Sequence, residues 1–299
     1  ELERLKKLEE QKKQLEEEKK QTELRHQEEE RIKKAKEEEN YKLRTLQSGP
    51  FRLYIDQNNI SHLYYKEQEL TKGVGINIGM LCDGSWYTSS DSKIEIKRLS
   101  SHKMIISLSH NKLPVIYSCR LDLKPEGIIT WNVDISFREP MRIDQSKFSL
   151  FLSKAYNNWI ASPEKGNFPA SFSPQWQKMN PSTNNADFIG LYSSLKEFPG
   201  IVCKNSKDSN ALLVVQNTDS NLSSRVLEIQ YEDNKEFYQP GTYPYLKTII
   251  ELYPDNSVFK KILKEIQAKE KKKQLEEKKK QEAEQKRLEE LEKIRQLEE

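Results

Sequence analysis

Two stretches of this chain cannot build a hydrophobic core. Residues 1–45 and 260–299 contain neither Gly nor Pro and consist mostly of Glu, Lys, Gln, Leu and Arg, all strong helix formers. Residues 1–45 carry 14 Lys/Arg and 14 Glu, residues 260–299 carry 14 and 11, and neither stretch has an Asp. Globular structure must therefore come from the roughly 210 residues between them, enough for one sizeable core. That middle holds 22 basic and 22 acidic residues, so the net charge of +3 belongs to the last segment. A generally basic nucleic-acid-binding surface is excluded, and no nucleic-acid partner is expected. The whole-chain averages, 32% charged with a mean hydropathy of -0.89, describe the arms more than the domain.

The arms read as two long charged α-helices, residues 1–46 and 259–299. Glu9/Lys13, Glu16/Lys20, Glu29/Lys33 and Glu30/Lys34 are i,i+4 pairs in the favourable order, each contributing about 0.2–0.5 kcal/mol. An arm of about 40 residues would reach roughly 60 Å. Leu8, Leu15 and Thr22 step by seven, but Gln, Lys or Glu fill the intervening positions, short of a strict heptad seam. Two readings stay open: pairing, as an antiparallel coiled coil in cis or with another chain, and a solvated single helix. Lys271–Lys273 and Lys278–Lys280 are interrupted by Glu276 and Glu277 and read as a solvated face.

At Gln47-Ser-Gly-Pro50 the composition changes to Tyr, Ile, Val, Trp, Ser, Asn and Thr. Gly-Pro breaks the helix. Short β-like runs follow at 51–55, 60–65, 94–97, 104–109, 115–121, 128–137, 148–153, 189–193, 200–203, 211–215, 225–231 and 248–253. Lys124-Pro-Glu-Gly127 has Pro where a turn favours it. About 11–14 strands at this spacing predict a mainly β fold over 47–258, a large antiparallel β-sandwich. Residues 154–188 lack periodicity and read as a long functional loop. Gly73-Val-Gly75-Ile-Asn-Ile-Gly79 reads as a bend between strands.

Glu69-Leu-Thr-Lys-Gly73, Gly84-Ser-Trp-Tyr87 and Gly127-Ile-Ile-Thr-Trp-Asn-Val-Asp-Ile135 resemble the opening strands of galactose-mutarotase-like supersandwich domains. Residues 211–217 and 225–230 and Pro240-Gly-Thr-Tyr243 resemble the closing ones. The resemblance spans about 200 residues. Such domains occur in sugar epimerases, polysaccharide lyases and accessory domains of carbohydrate-processing enzymes. It therefore implies a supersandwich fold and an oligosaccharide or polysaccharide partner. Epimerase chemistry in the family needs two histidines and a Glu base. His62, His102 and His110 do not sit in that pattern, so the resemblance does not imply the reaction.

No P-loop, dinucleotide fingerprint, nucleophilic triad or metal-ligand spacing stands out, so no catalytic residue, metal or cofactor is expected. Cys82, Cys119 and Cys203 are few and widely spaced, which predicts buried thiols rather than disulfides or zinc. No apolar run of 18 residues exists, so no membrane span is expected. The lack of a signal-like segment or disulfide framework points to the cytoplasm, while the charged helical ends suggest a piece of a longer protein. Aromatics carry the functional expectation. Sugars stack on Trp and Tyr while amides take their hydroxyls. Trp86, Tyr87, Tyr156, Asn158, Trp159, Trp176 and Arg225 are the candidate ligand residues, with Asn157, Gln175 and Asn184 as further polar partners. Trp131, mid-strand, is expected in the core, and Arg225 beside a buried carboxylate. The expected function is a non-catalytic carbohydrate-recognition module on helical arms within a larger glycan-processing or envelope protein. The alternatives are an assembly module working through its arms and a polysaccharide lyase or epimerase.

Overall fold

The computed structural model describes residues 2–162, 164–180, 186, 188–205, 211–232 and 237–298; Asn184 and Asp187 lie outside them. Helix α1 spans Leu2–Leu43 and helix α2 spans Asn256–Glu298. The chain divides into two compact units, residues 1–45 and 46–299.

Among the described residues, the second unit is built on two antiparallel sheets, one of ten strands and one of nine. In the ten-stranded sheet, strands Thr71–Cys82, Gln145–Leu152, Arg225–Glu232 and Leu212–Asn217 lie side by side. In the nine-stranded sheet, Gly241–Tyr253 lies between Gly200–Asn205 and Ile128–Phe137. The expected hairpins form: Phe51 pairs with Tyr65 and Ile55 with Ser61, and Phe137 pairs with Val115. The second hairpin closes at Lys124–Gly127, where the Gly127 amide donates to the Lys124 carbonyl at 3.0 Å. Gly127 has φ +83, and a Cβ there would lie 2.7 Å from the Leu252 carbonyl oxygen, so glycine is required.

Alternation makes the sandwich interior. Ile129, Trp131, Val133, Ile135 and Phe137 are buried on one face of a single strand. The Trp131 ring meets Phe148 of the opposite sheet edge-on at 5.7 Å, so the core is continuous across the layers. All three cysteines are buried free thiols. Burial pushes the Cys82 and Cys119 thiols up to about 12, which removes the reactive thiolate.

Two expectations change. Residues 154–188 are not one loop: Asn158–Ala161 and Glu164–Asn167 form a hairpin in the nine-stranded sheet, and Gln177–Lys178 pairs with the strand Leu212–Asn217. These strands are two to four residues long, too short for periodicity to register. The glycine-rich run is no bend between strands. It is one strand, Thr71–Cys82, with a register irregularity opposite Leu150/Leu152. Gly75 has φ +62, and a Cβ there would fall 2.2 Å from the Ser61 carbonyl oxygen, the behaviour of a bulge glycine.

The nine-stranded sheet has a second apolar cluster on its outer face. Ile160, Val202 and Phe259 are buried there, with Phe188, Tyr192, Tyr253, Ile262 and Leu263 packed around them. Gly200 makes room: its Cβ would lie 1.9 Å from the Phe259 ring. The Asp255 carboxylate accepts from the Ser257 amide at 2.8 Å and from its hydroxyl at 2.7 Å. Those bonds hold the Asp255 carboxyl below its ordinary range and start α2 where Phe259 must seat.

Candidate functional site

The period-two rule separates residues that are adjacent in sequence. Trp86 and Tyr87 lie on the strand Ser85–Thr88, paired with Leu81 and Met80. Tyr87 faces the sandwich interior, where its ring meets His110 edge-on at 5.6 Å. Trp86 faces outward and is 41% exposed.

A polar lattice surrounds Trp86 on that outer face. Ser149 pairs with both Asn77 and Glu228, and Lys147 with both Gly79 and Gln230. Glu228, in the middle of a ten-stranded sheet, is 1% exposed. Its carboxylate accepts from the Ser149 hydroxyl at 2.8 Å, from the Gln216 amide at 3.2 Å and from the Gln230 amide. The Lys147 ammonium stands 3.4 Å away. A buried carboxylate persists only with such partners. Lys147 also lies over the Trp86 ring, 4.0 Å from its centroid.

Two residues along the same strands, about 7 Å away, Phe151 pairs with Val226. Trp176 stands edge-on to Phe151 at 6.0 Å and is 40% exposed. Asn180 fixes the segment after it: its amide donates to the Leu213 carbonyl at 2.9 Å, and its oxygen accepts from the Val215 amide at 2.7 Å. Two exposed indole rings therefore flank a row of amides, a hydroxyl and an ion pair.

The remaining sequence candidates lie elsewhere. Tyr156 is fully buried, its hydroxyl donating to the Pro199 carbonyl at 3.0 Å and its ring edge-on to Phe198. Burial raises that phenol far above its ordinary range. Trp159 is buried with its ring over Gly166, where a Cβ would come within 2.7 Å of it. Asn158 is half-buried on the hairpin and donates to Asn157. Arg225 is buried between the rings of Phe168 and Phe172, 4.5 and 4.4 Å from their centroids. It donates to Asn217 and to the Pro169 carbonyl, and burial lowers its guanidinium to about 10. The expected buried carboxylate is replaced, among the described residues, by two oxygen acceptors and two aromatic faces. His62 faces outward between Glu69, 2.7 Å from Nδ1, and Asp56, 3.5 Å from Nε2.

Sequence reasoning missed Glu228, Ser149, Lys147, Gln216 and Gln230. A signal existed in the alternation of Val226, Glu228 and Gln230 along one strand, but Ser149 is 79 residues away. Among the described residues no group of three His, Cys, Asp or Glu side chains could hold a metal, and no helix is long and apolar enough to cross a membrane.

Comparison with protein-family models and with curated proteins gives no match. Solved structures do match. The α-N-acetylgalactosaminidase NagBb from Bifidobacterium bifidum, in its GalNAc complex, superposes with a TM-score of 0.51 at 10% identity, over 70% of this chain and 36% of that one. The chain thus spans about a third of the NagBb length. An aldose epimerase homologue from C. elegans aligns over 67% of this chain and 90% of its own, with a TM-score of 0.38 at 9% identity. An α-mannosidase from Enterococcus faecalis aligns over 72% and 30%, with a TM-score of 0.44 at 7% identity. At such identities likeness speaks for fold alone. The fold, an antiparallel β-sandwich of two sheets, is one that NagBb shares over part of its length, in agreement with the sandwich that the sequence motifs imply.

Proposed function

We propose that this protein is a non-catalytic carbohydrate-recognition module whose binding surface is the outer face of the ten-stranded sheet around Glu228. The observation that carries this reading is the pair of exposed indoles, Trp86 and Trp176, beside convergent side chains of Ser149, Lys147, Gln216, Glu228 and Gln230. Saccharides need both parts: aromatic faces for C–H surfaces and fixed polar groups for hydroxyls. A fold shared with part of a glycan-cleaving enzyme supports the sugar context. The module would be carried on its helical arms within a larger glycan-processing protein, the arms pairing in cis or with another chain.

Calorimetric titration of the full chain with neutral oligosaccharides tests the reading. Trp86→Ala and Trp176→Ala should each weaken binding by roughly 2–12-fold, the equivalent of about 0.5–1.5 kcal/mol per stacked ring, with the melting temperature nearly unchanged. Trp159→Ala should instead cost about 3–5 kcal/mol of stability without touching the surface. The reading fails if no oligosaccharide binds, or if both exposed-ring variants bind as wild type does. The epimerase alternative would require a second acid–base group beside Glu228, and mutarotation of free hexoses by the full chain would favour it.

A further inference from the structure

Lys147 occupies a seat that its neighbours build for an ammonium group. Its methylene chain lies across Gly79, where a Cβ would meet Lys147 Cγ at 3.0 Å, Cε at 3.1 Å and Trp86 Cε3 at 3.4 Å. A Cβ at 79 would press on that chain and push it aside by a few tenths of an ångström. The ammonium then rests 4.0 Å from the Trp86 ring centroid and 3.4 Å from Glu228 Oε2. An aromatic face and a carboxylate around one cation form the recognition geometry of amine-bearing ligands. Lys147 keeps 24% of its side chain exposed while Glu228 keeps 1%, so the lysine is the member that can leave.

We propose that this seat is an amine-binding subsite, that Lys147 is its tethered occupant, and that the saccharide recognised carries a free amino group. The inference rests on the outer sheet face being the saccharide surface. Charge selects the ligand class. A saccharide that stacks on the covered face of Trp86 must displace Lys147. Glu228 would then keep its bonds to Ser149, Gln216 and Gln230 but lose the cation beside it, and a buried charge left unpaired is costly. A hydroxyl or an N-acetyl group restores no charge. The ammonium of a hexosamine does, at the position Lys147 vacates.

The test compares wild type with Lys147→Met, which keeps the chain length and removes the charge. The probes are an N-acetylated hexosamine oligomer and the same oligomer deacetylated. Lys147→Met should bind the deacetylated oligomer about tenfold or more tighter than wild type does, because a tethered competitor has gone from the ring and the carboxylate. The N-acetylated oligomer should change by less than about twofold, and the gain should vanish at high salt. An equal gain for both oligomers would make Lys147 a mere cover and overturn the proposal. So would no gain for either while neutral oligosaccharides still bind through Trp86 and Trp176. If no saccharide binds to wild type or variant, the carbohydrate reading itself falls. Glu228→Gln supplies a reciprocal measurement should Lys147→Met fold poorly: it must abolish any preference for the deacetylated oligomer, and a preference that persists contradicts the assignment.

Discussion

His110 shows how a single side chain ties the fold to pH. Its Nδ1 accepts from the amides of Lys112 and Leu113, both at 3.1 Å, so the ring is held neutral with its proton on Nε2. Protonating Nδ1 would set a third donor against those two. Burial lowers the imidazole from its ordinary range, with Asp91 opposing and Lys112 adding to the shift. The sign follows from which state takes the proton first. As pH falls below the unfolded value, about 6.5, the unfolded chain is protonated before the folded one, so stability present above that value is lost on acidification. Denaturant melts at pH 7.5 and pH 5 should show this loss, and His110→Asn, which retains an acceptor for the two amides, should lose less. An equal loss in both proteins would place the acid sensitivity elsewhere. Residue chemistry was legible where one strand decides it: Trp131 is buried mid-strand as its alternation requires. It was not legible at Trp86 and Tyr87, because the four-residue strand that turns them to opposite faces carries no periodic signal of its own.

At the scale of elements, the boundary that matters most is the start of α2. Phe259 is 1% exposed against Gly200, so the first turns of α2 supply core to the nine-stranded sheet. Phe259→Ala should therefore cost about 3–5 kcal/mol, read as a drop in the unfolding midpoint, and Gly200→Ala should be destabilising through the same contact. A midpoint unchanged in both would mean that the helix start is not part of the folded domain. Composition alone placed the helix here correctly but treated Phe259 as the first residue of an arm; nothing in a charged helical sequence reveals which single aromatic will find a glycine 59 positions earlier. The arms themselves remain testable by circular dichroism. Each isolated arm should be partly helical, and helicity that rises with concentration would support pairing, whereas concentration-independent helicity would favour a solvated single helix.

For the whole molecule, the sandwich was legible because the composition changes near Gly49-Pro50 and the following strands alternate. The helix end was not: α1 stops at Leu43, a strand Thr45–Ser48 with Leu46 buried in the core follows, and Gly49-Pro50 turns between two strands. The site was another matter. Its carboxylate, hydroxyl, lysine and amides come from three strands joined only by sheet pairing, Gln145–Leu152, Arg225–Glu232 and, for Gln216, Leu212–Asn217. No local spacing encodes that juxtaposition. The chain has four tryptophans, two exposed on the outer face and two buried, Trp131 and Trp159. That division allows one direct measurement of where a saccharide binds. Following the four indole N–H resonances while titrating the full chain with hexosamine oligomers should shift the Trp86 and Trp176 signals progressively and leave those of Trp131 and Trp159 in place. Shifts confined to Trp159 or Trp131, or no shift of any indole at saturating saccharide, would contradict the assignment of the outer sheet face as the carbohydrate surface.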